Sequence, residues 1–267
     1  MYRKIKIFND TLKQCHENEK LAGAVINSIN GTKLYYADDY PEIIYNQNNV
    51  CHLSVTSERT FEAAENLMKI YPDSRTGVLN FASAVNAGGG VALGASAQEE
   101  CLCRCSTLYP CLDTKELKRD FYNYHRFSFD FRYTDVCIYV PDVVVIKSDT
   151  LLPESVEESK WYNVDVLTCA APNLSLSFLS KEKLSEIHEK RGRHILSIAV
   201  ANGIEILVLG AFGCGAFRNN PETVAYAYKK ILTDFMKYFK EIRFAVYCSS
   251  GHSKNYDTFC EIIGNSD

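Results

Sequence analysis

Three consecutive glycines, Gly88, Gly89 and Gly90, are followed after seven residues by Gln98, Glu99 and Glu100. Residues without Cβ take positive φ and let a backbone approach a ligand closely, so a triple glycine between an apolar run and a helix-forming run reads as a ligand loop. Adjacent carboxylates at a helix start are in most proteins an exposed acidic turn that suits the positive helix N-terminus. Beside a ligand loop they can do more. Consecutive helix residues point about 100° apart, so one carboxylate can hold sugar hydroxyls while its neighbour meets a glycosidic bond. Departure of a leaving group from a ribose C1 develops oxocarbenium character, which calls for a proton on the leaving oxygen and then an activated water. One carboxyl can supply both in turn.

A second glycine-bearing loop runs from Gly210 to Phe217 (GAFGCGAF). It lacks the Lys and Ser/Thr of a P-loop, and its glycines do not have dinucleotide-fold spacing. What fits is a diphosphate cradle of backbone N–H groups, with Phe217 either in the core or against a bound sugar. Cys214 has no partner base in any local pattern, so packing under the loop is expected rather than nucleophilic attack. Cys101, Cys103, Cys105 and Cys111 contain no CxxC pair and have no nearby His, so no metal site is expected. Gly251 and His252 read as turn residues.

These loops need a scaffold, and the periodicity supplies one. Strands are expected at Cys51 to Val55, Gly77 to Ala82, Val143 to Ile146, Val164 to Thr168, Ile204 to Leu209 and Ile242 to Cys248. Helices are expected at Phe61 to Tyr71, Ala95 to Leu112, Lys181 to Asn202, and from Asn220 as N-cap and Pro221 as first residue to about Phe239. In the first 49 residues, Ile5 to Glu19 reads as a helix and Thr32 to Tyr36 as a strand. Tyr122 to Tyr139 is aromatic without clean periodicity. Alternating strands and helices imply a largely parallel sheet covered on both faces, with ligand loops at the carboxyl ends of its strands.

The chain has 267 residues, 46% hydrophobic and 23% charged, a balance that suits a domain folded in water. No apolar run approaches the roughly 20 residues of a membrane span, and the first residues carry charge, so neither membrane insertion nor secretion is expected. With 29 basic against 33 acidic side chains the formal charge is -4, which argues against a duplex nucleic-acid partner while leaving room for a small anion held by backbone amides. Eleven cysteines, an odd number, suit reduced thiols and a cytoplasmic location.

With both loops in hand, the chain resembles the microbial-type poly(ADP-ribose) glycohydrolases of the macrodomain-like superfamily. The carrying residues are Val78 to Ala84 (VLNFASA), Asn86, Ala87, the three glycines, Gln98 to Glu100, Cys101 to Tyr109 (CLCRCSTLY), Tyr133 to Asp135, Val140 to Asp142, and Leu207 to Asn219 (LVLGAFGCGAFRN) with Pro221. The resemblance spans about Val55 to Val246. It implies a three-layer α/β macrodomain-like fold with a mostly parallel mixed sheet between helices, residues 50–267 forming the catalytic domain and 1–49 an N-terminal helical extension packed on it. It further implies that Glu100 protonates the leaving ribose oxygen and later activates water, and that Glu99 binds hydroxyls of the ribose under attack. Asn86, Gly88, Gly89, Gly90 and Gln98 would bind substrate from one side, and Gly213, Cys214, Gly215, Ala216 and Phe217 from the other. No metal and no cofactor are implied. Ala87 stands where family members often have Pro, which loosens the loop without removing a chemical group. The expected ligand is ADP-ribose or an ADP-ribosylated protein or polymer, and the expected state a monomer. A mono-ADP-ribosyl hydrolase acting on protein or nucleotide, and a non-catalytic ADP-ribose reader, are the competing readings. The intact Glu99–Glu100 pair argues against the reader.

Overall fold

The computed structural model describes residues 1–43, 49–249 and 251–264. Its elements in chain order are α1 (Tyr2–Glu17), α2 (Glu19–Gly31), β1 (Lys33–Tyr35), β2 (His52–Thr56), α3 (Thr60–Ile70), β3 (Thr76–Phe81), α4 (Gln98–Cys105), α5 (Leu108–Leu112), α6 (Lys115–Leu117), α7 (Tyr124–Ser128), β4 (Cys137–Val145), β5 (Tyr162–Cys169), α8 (Lys181–Ala201), β6 (Ile206–Leu209), α9 (Pro221–Phe235), β7 (Glu241–Ala245) and α10 (Lys254–Phe259). The strands form one mixed sheet in the order β1-β4-β5-β3-β6-β7-β2. From β5 to β2 every neighbour is parallel, whereas β4 runs antiparallel to both β1 and β5.

Helices cover both faces, which is why the central strands read as unbroken apolar runs. On one face Phe8, Phe61, Leu67, Leu102, Leu108 and Phe121 pack from α1, α3, α4, α5 and the π-helical turn Lys118–Asn123. On the other, Ile195, Val224, Tyr228, Ile231 and Phe259 pack from α8, α9 and α10. The macrodomain-like three-layer arrangement is therefore present. The first residues are bound tightly to it. Buried Lys147 donates to Asp10 at 2.6 Å, Thr11 Oγ1 donates to the Arg104 carbonyl at 2.6 Å, and β1 lengthens the sheet at its β4 edge.

Several boundaries differ from the sequence expectation for local reasons. The first helix is interrupted at Asn18, whose side chain accepts from the N–H groups of Lys20 and Leu21 and so starts a second helix. The run Ala95 to Leu112 breaks at Ser106, where the backbone pairs with β4 instead: Thr107 N–H donates to Val144 and Ile146 N–H to Cys105. β4 begins well before Val143. Its register slips between Val140 and Val143, at Pro141 and at Asp142 with φ +52°, so a bulge carries the proline that hides the strand. Helix α9 stops at Phe235 before a single 3-10 turn, and α10, capped by Ser253, follows the turn at Gly251 and His252 with no counterpart among the expected helices.

Candidate active site

β3 and β6 are hydrogen-bonded neighbours, so the loops that follow them open at the same end of the sheet. A cavity of about 330 Å³ lies there, lined by Gln98, Glu99 and Glu100 at the start of α4 and by Gly213, Gly215, Ala216 and Phe217 of the second loop. Its size falls at the low end of small-molecule sites.

Gln98 locks α4 to β3. Its Oε1 accepts from Phe81 N–H at 2.8 Å, and its Nε2 donates to the Leu79 carbonyl at 2.7 Å and to Thr60 Oγ1 at 3.1 Å. Although it lines the cavity, its amide is occupied by the protein, so what it contributes is the placement of the next two residues.

Glu99 is 2% exposed, with Oε2 accepting from Ser83 N–H at 2.7 Å and Oε1 from Asn80 Nδ2 at 3.4 Å. Burial pushes its carboxyl up to about 8 against the pull of the Ser83 amide, and the charge of Glu100 pushes the same way. Glu100 is 8% exposed. Its Oε1 accepts from Gly90 N–H at 2.9 Å, while Oε2 is buried with no partner among the described residues. A buried carboxylate oxygen left unbonded is costly unless something else meets it, so this atom is the natural contact for a ligand.

The glycine loop is wrapped around this pair. Gly88 and Gly89 have φ of +65° and +57°. A Cβ on Gly89 would stand 2.5 Å from Glu100 Oε1 and 3.1 Å from Glu99 Oε2, and one on Gly88 would stand 2.7 Å from the Tyr109 ring. The N–H groups of Gly89 and Gly90 donate to the Asn86 carbonyl and to Glu100. These amides are therefore turned to the protein's own acceptors. Asn86 is exposed and off the carboxylate cavity, with its Oδ1 accepting from Arg126 at 3.0 Å.

The second loop is the reverse. Gly213 has φ +78° and lies so close to Ala171 and Asn219 that a Cβ would meet them at 2.6 and 2.9 Å. Buried Asn219 braces the turn from within, donating to the carbonyls of Pro172, Gly213 and Phe217 and holding His188 Nε2 at 2.8 Å. Among the described residues, no internal hydrogen bond takes the N–H of Gly213, Gly215, Ala216 or Phe217. Successive open amides of this kind form an anion nest. Phe217 reaches both the cavity and Tyr133, its ring 6.2 Å away. Cys214 packs beneath the loop, its thiol pushed up to about 12 by burial, the opposite of a primed nucleophile.

Sequence reading missed the far end of the cavity. Arg59 lies over the Tyr247 ring at 3.9 Å, and both line the site with Asp149 and Asn255. Asp149 Oδ2 accepts from Phe61 N–H at 2.9 Å, its Oδ1 is buried without a partner among the described residues, and burial raises its pKa. The strand expected over Ile242 to Cys248 ends at Ala245, which frees Tyr247 to face the cavity. Ser83 and Asn80 lie inside the VLNFASA run, and nothing in their spacing marks them as Glu99 partners.

The family model for the microbial-type PARG catalytic domain matches residues 4–148. No curated protein matches the chain. Among solved structures, the poly(ADP-ribose) glycohydrolase (PARG) of Thermomonospora curvata is 29% identical with a TM-score of 0.88, covering 98% of this chain and 99% of that one. The same glycohydrolase bound to the inhibitor ADP-HPD is 30% identical with a TM-score of 0.85, over 98% and 99% of the two chains. The Deinococcus radiodurans PARG in complex with ADP-ribose is 31% identical with a TM-score of 0.77, over 90% of this chain and 96% of that one.

Proposed function

This chain belongs to the microbial-type PARG family, a glycohydrolase family, and we propose that it hydrolyses the ribose-linked O-glycosidic bond of poly(ADP-ribose) and releases ADP-ribose, with Glu100 as general acid and then base. The diphosphate rests on the open N–H groups of Gly213, Gly215, Ala216 and Phe217, where oriented dipoles hold an anion without Lys or Arg. The base points to the Arg59–Tyr247 stack and to the unpartnered Asp149 oxygen. The terminal ribose then comes to lie against the carboxyls. Its C1–O bond breaks as Glu100 gives its proton to the leaving oxygen; the resulting carboxylate takes a proton from water, whose oxygen bonds to C1. Glu99 keeps its proton in the neutral range, which avoids two adjacent negative charges and leaves it able to bind ribose hydroxyls.

The observation that carries this reading is the unbonded Glu100 Oε2 in the cavity closed by the open amides of the second loop. The test is release of ADP-ribose from polymer of defined length. Glu100→Gln should lower turnover by about 10² to 10⁴ while ADP-ribose affinity changes only a few-fold. Full turnover in that variant would remove Glu100 from the chemistry. Wild type that clears singly modified protein but leaves polymer intact would establish the mono-ADP-ribosyl reading, and tight binding without release from any conjugate the reader.

A further inference from the structure

Among the described residues, helix α8 contributes none to the lining of the carboxylate cavity, yet one of its side chains is bonded beneath the second loop. His188 is 1% exposed, with Nε2 2.8 Å from Asn219 Oδ1 and its ring edge-on to Phe212. Its Nδ1 is buried and has no partner among the described residues. The surrounding acceptors settle where the protons lie. One end of the Asn219 amide stands 2.7 Å from the Pro172 carbonyl, 3.1 Å from that of Gly213 and 3.2 Å from that of Phe217. Three carbonyl oxygens around one atom require a donor, so that atom is Nδ2 and the atom facing His188 is Oδ1. An acceptor at this distance in turn requires a proton on Nε2. Burial pushes the imidazole down to about 4, the Asn219 bond opposing it and the Arg191 charge adding to it, so at neutral pH the ring carries a single proton and Nδ1 is bare.

We propose that His188 is a positioning residue for diphosphate binding: its Nε2–H holds the Asn219 amide in the one orientation that ties both ends of the second loop, Gly213 and Phe217, to the chain after β5. The inference rests on the function proposed above, which places the diphosphate on that loop. A reversed Asn219 would set Oδ1 against three carbonyl oxygens and push the ends of the loop apart. Without the imidazole, Oδ1 becomes a buried acceptor with no donor, a cost the side chain relieves by turning away and releasing those carbonyls. The open N–H groups of Gly213, Gly215, Ala216 and Phe217 then lose their common focus. Glu100 is held by the other glycine loop, so the loss falls on binding and not on bond cleavage.

The experiment sets His188→Leu, which keeps the bulk and removes the donor, beside His188→Gln, whose side-chain amide returns an N–H near the position of Nε2. Calorimetric titration with ADP-ribose and turnover of polymer are read for both. His188→Leu should weaken ADP-ribose binding and raise KM about tenfold while kcat stays within about threefold, and His188→Gln should bring both back to within about threefold of wild type. In the wild type, the nitrogen shifts of the His188 ring in an NMR spectrum at neutral pH should show a protonated Nε2 and a bare Nδ1. Unchanged binding in His188→Leu, an equal loss in the two variants, a fall in kcat with KM unmoved, or a proton found on Nδ1 would each overturn the role of His188 while leaving the glycohydrolase reading intact. Should His188→Leu fail to fold, the ring tautomer and the His188→Gln affinity decide the matter. Wild type that neither binds ADP-ribose nor cuts polymer would overturn both readings.

Discussion

The loop Asn86–Gly90 and the loop Gly213–Phe217 are both glycine-rich, and both follow a buried strand, β3 or β6, at the same end of the sheet. Their backbones face opposite ways. The first spends its amides on Asn86 and Glu100 and brings glycine Cα atoms against two carboxyls. In the second, Asn219 takes up carbonyls from inside the turn and, among the described residues, four N–H groups remain open. The lesson concerns what stands behind a glycine loop. Where a buried carboxylate stands behind it, the loop's amides turn inward to protein acceptors; where a buried amide donor stands behind it, amides stay open toward the cavity.

This contrast can be broken most forcefully at Gly89. Gly89→Ala puts a methyl group 2.5 Å from Glu100 Oε1 at a residue with φ +57°, so either the loop or the carboxyl must move. Displacement of a reacting group by about an ångström is expected to cost about 10² in turnover, and the strained backbone about 1–3 kcal/mol of stability. Turnover assays and thermal unfolding read the two effects, and near-normal activity would show that the carboxyl does not depend on this clasp.

The next effect is a dependence on pH. Glu99 holds its proton in the folded protein up to about 8, whereas in the unfolded chain it ionises near the ordinary carboxyl value of 4.5. Between those values the unfolded state binds fewer protons, so stability falls as pH rises and levels off above about 8. Glu99→Gln removes that titration. The Tm difference between variant and wild type should grow in the variant's favour from pH 5 to 8, and parallel curves would mean that burial does not raise this carboxyl.

The smallest effect is expected at Gly215, where a Cβ would meet nothing within 4 Å. Gly215→Ala leaves its N–H in place, so ADP-ribose affinity should stay within about twofold and stability within about 0.5 kcal/mol. Calorimetric titration tests this, and a large loss would mean that the second loop, like the first, needs the absence of a side chain rather than open amides alone.

Both loops, the Gln98–Glu100 triplet and the alternation of strands and helices were legible in the sequence, because each depends on local features: glycine spacing, a period of two or 3.6, a capping Asn220 before Pro221. The ends of β4 were not, since Pro141 sits in a bulge that only pairing with β5 reveals. Nor was the antiparallel pairing of β1, or the stack of Arg59 on Tyr247.

The two glycine loops and the carboxyl pair were thus written along the chain, where neighbours in sequence are neighbours in space. Tertiary structure decided how they are used. That Gly90 bonds one oxygen of Glu100 and leaves the other unpartnered, that Ser83 and Asn80 hold Glu99, and that Asn219 rather than a carboxylate lies behind the second loop all depend on contacts between segments far apart in sequence. Burial, which sets the proton affinity of Glu99, is likewise a property of the assembled core and of no single segment.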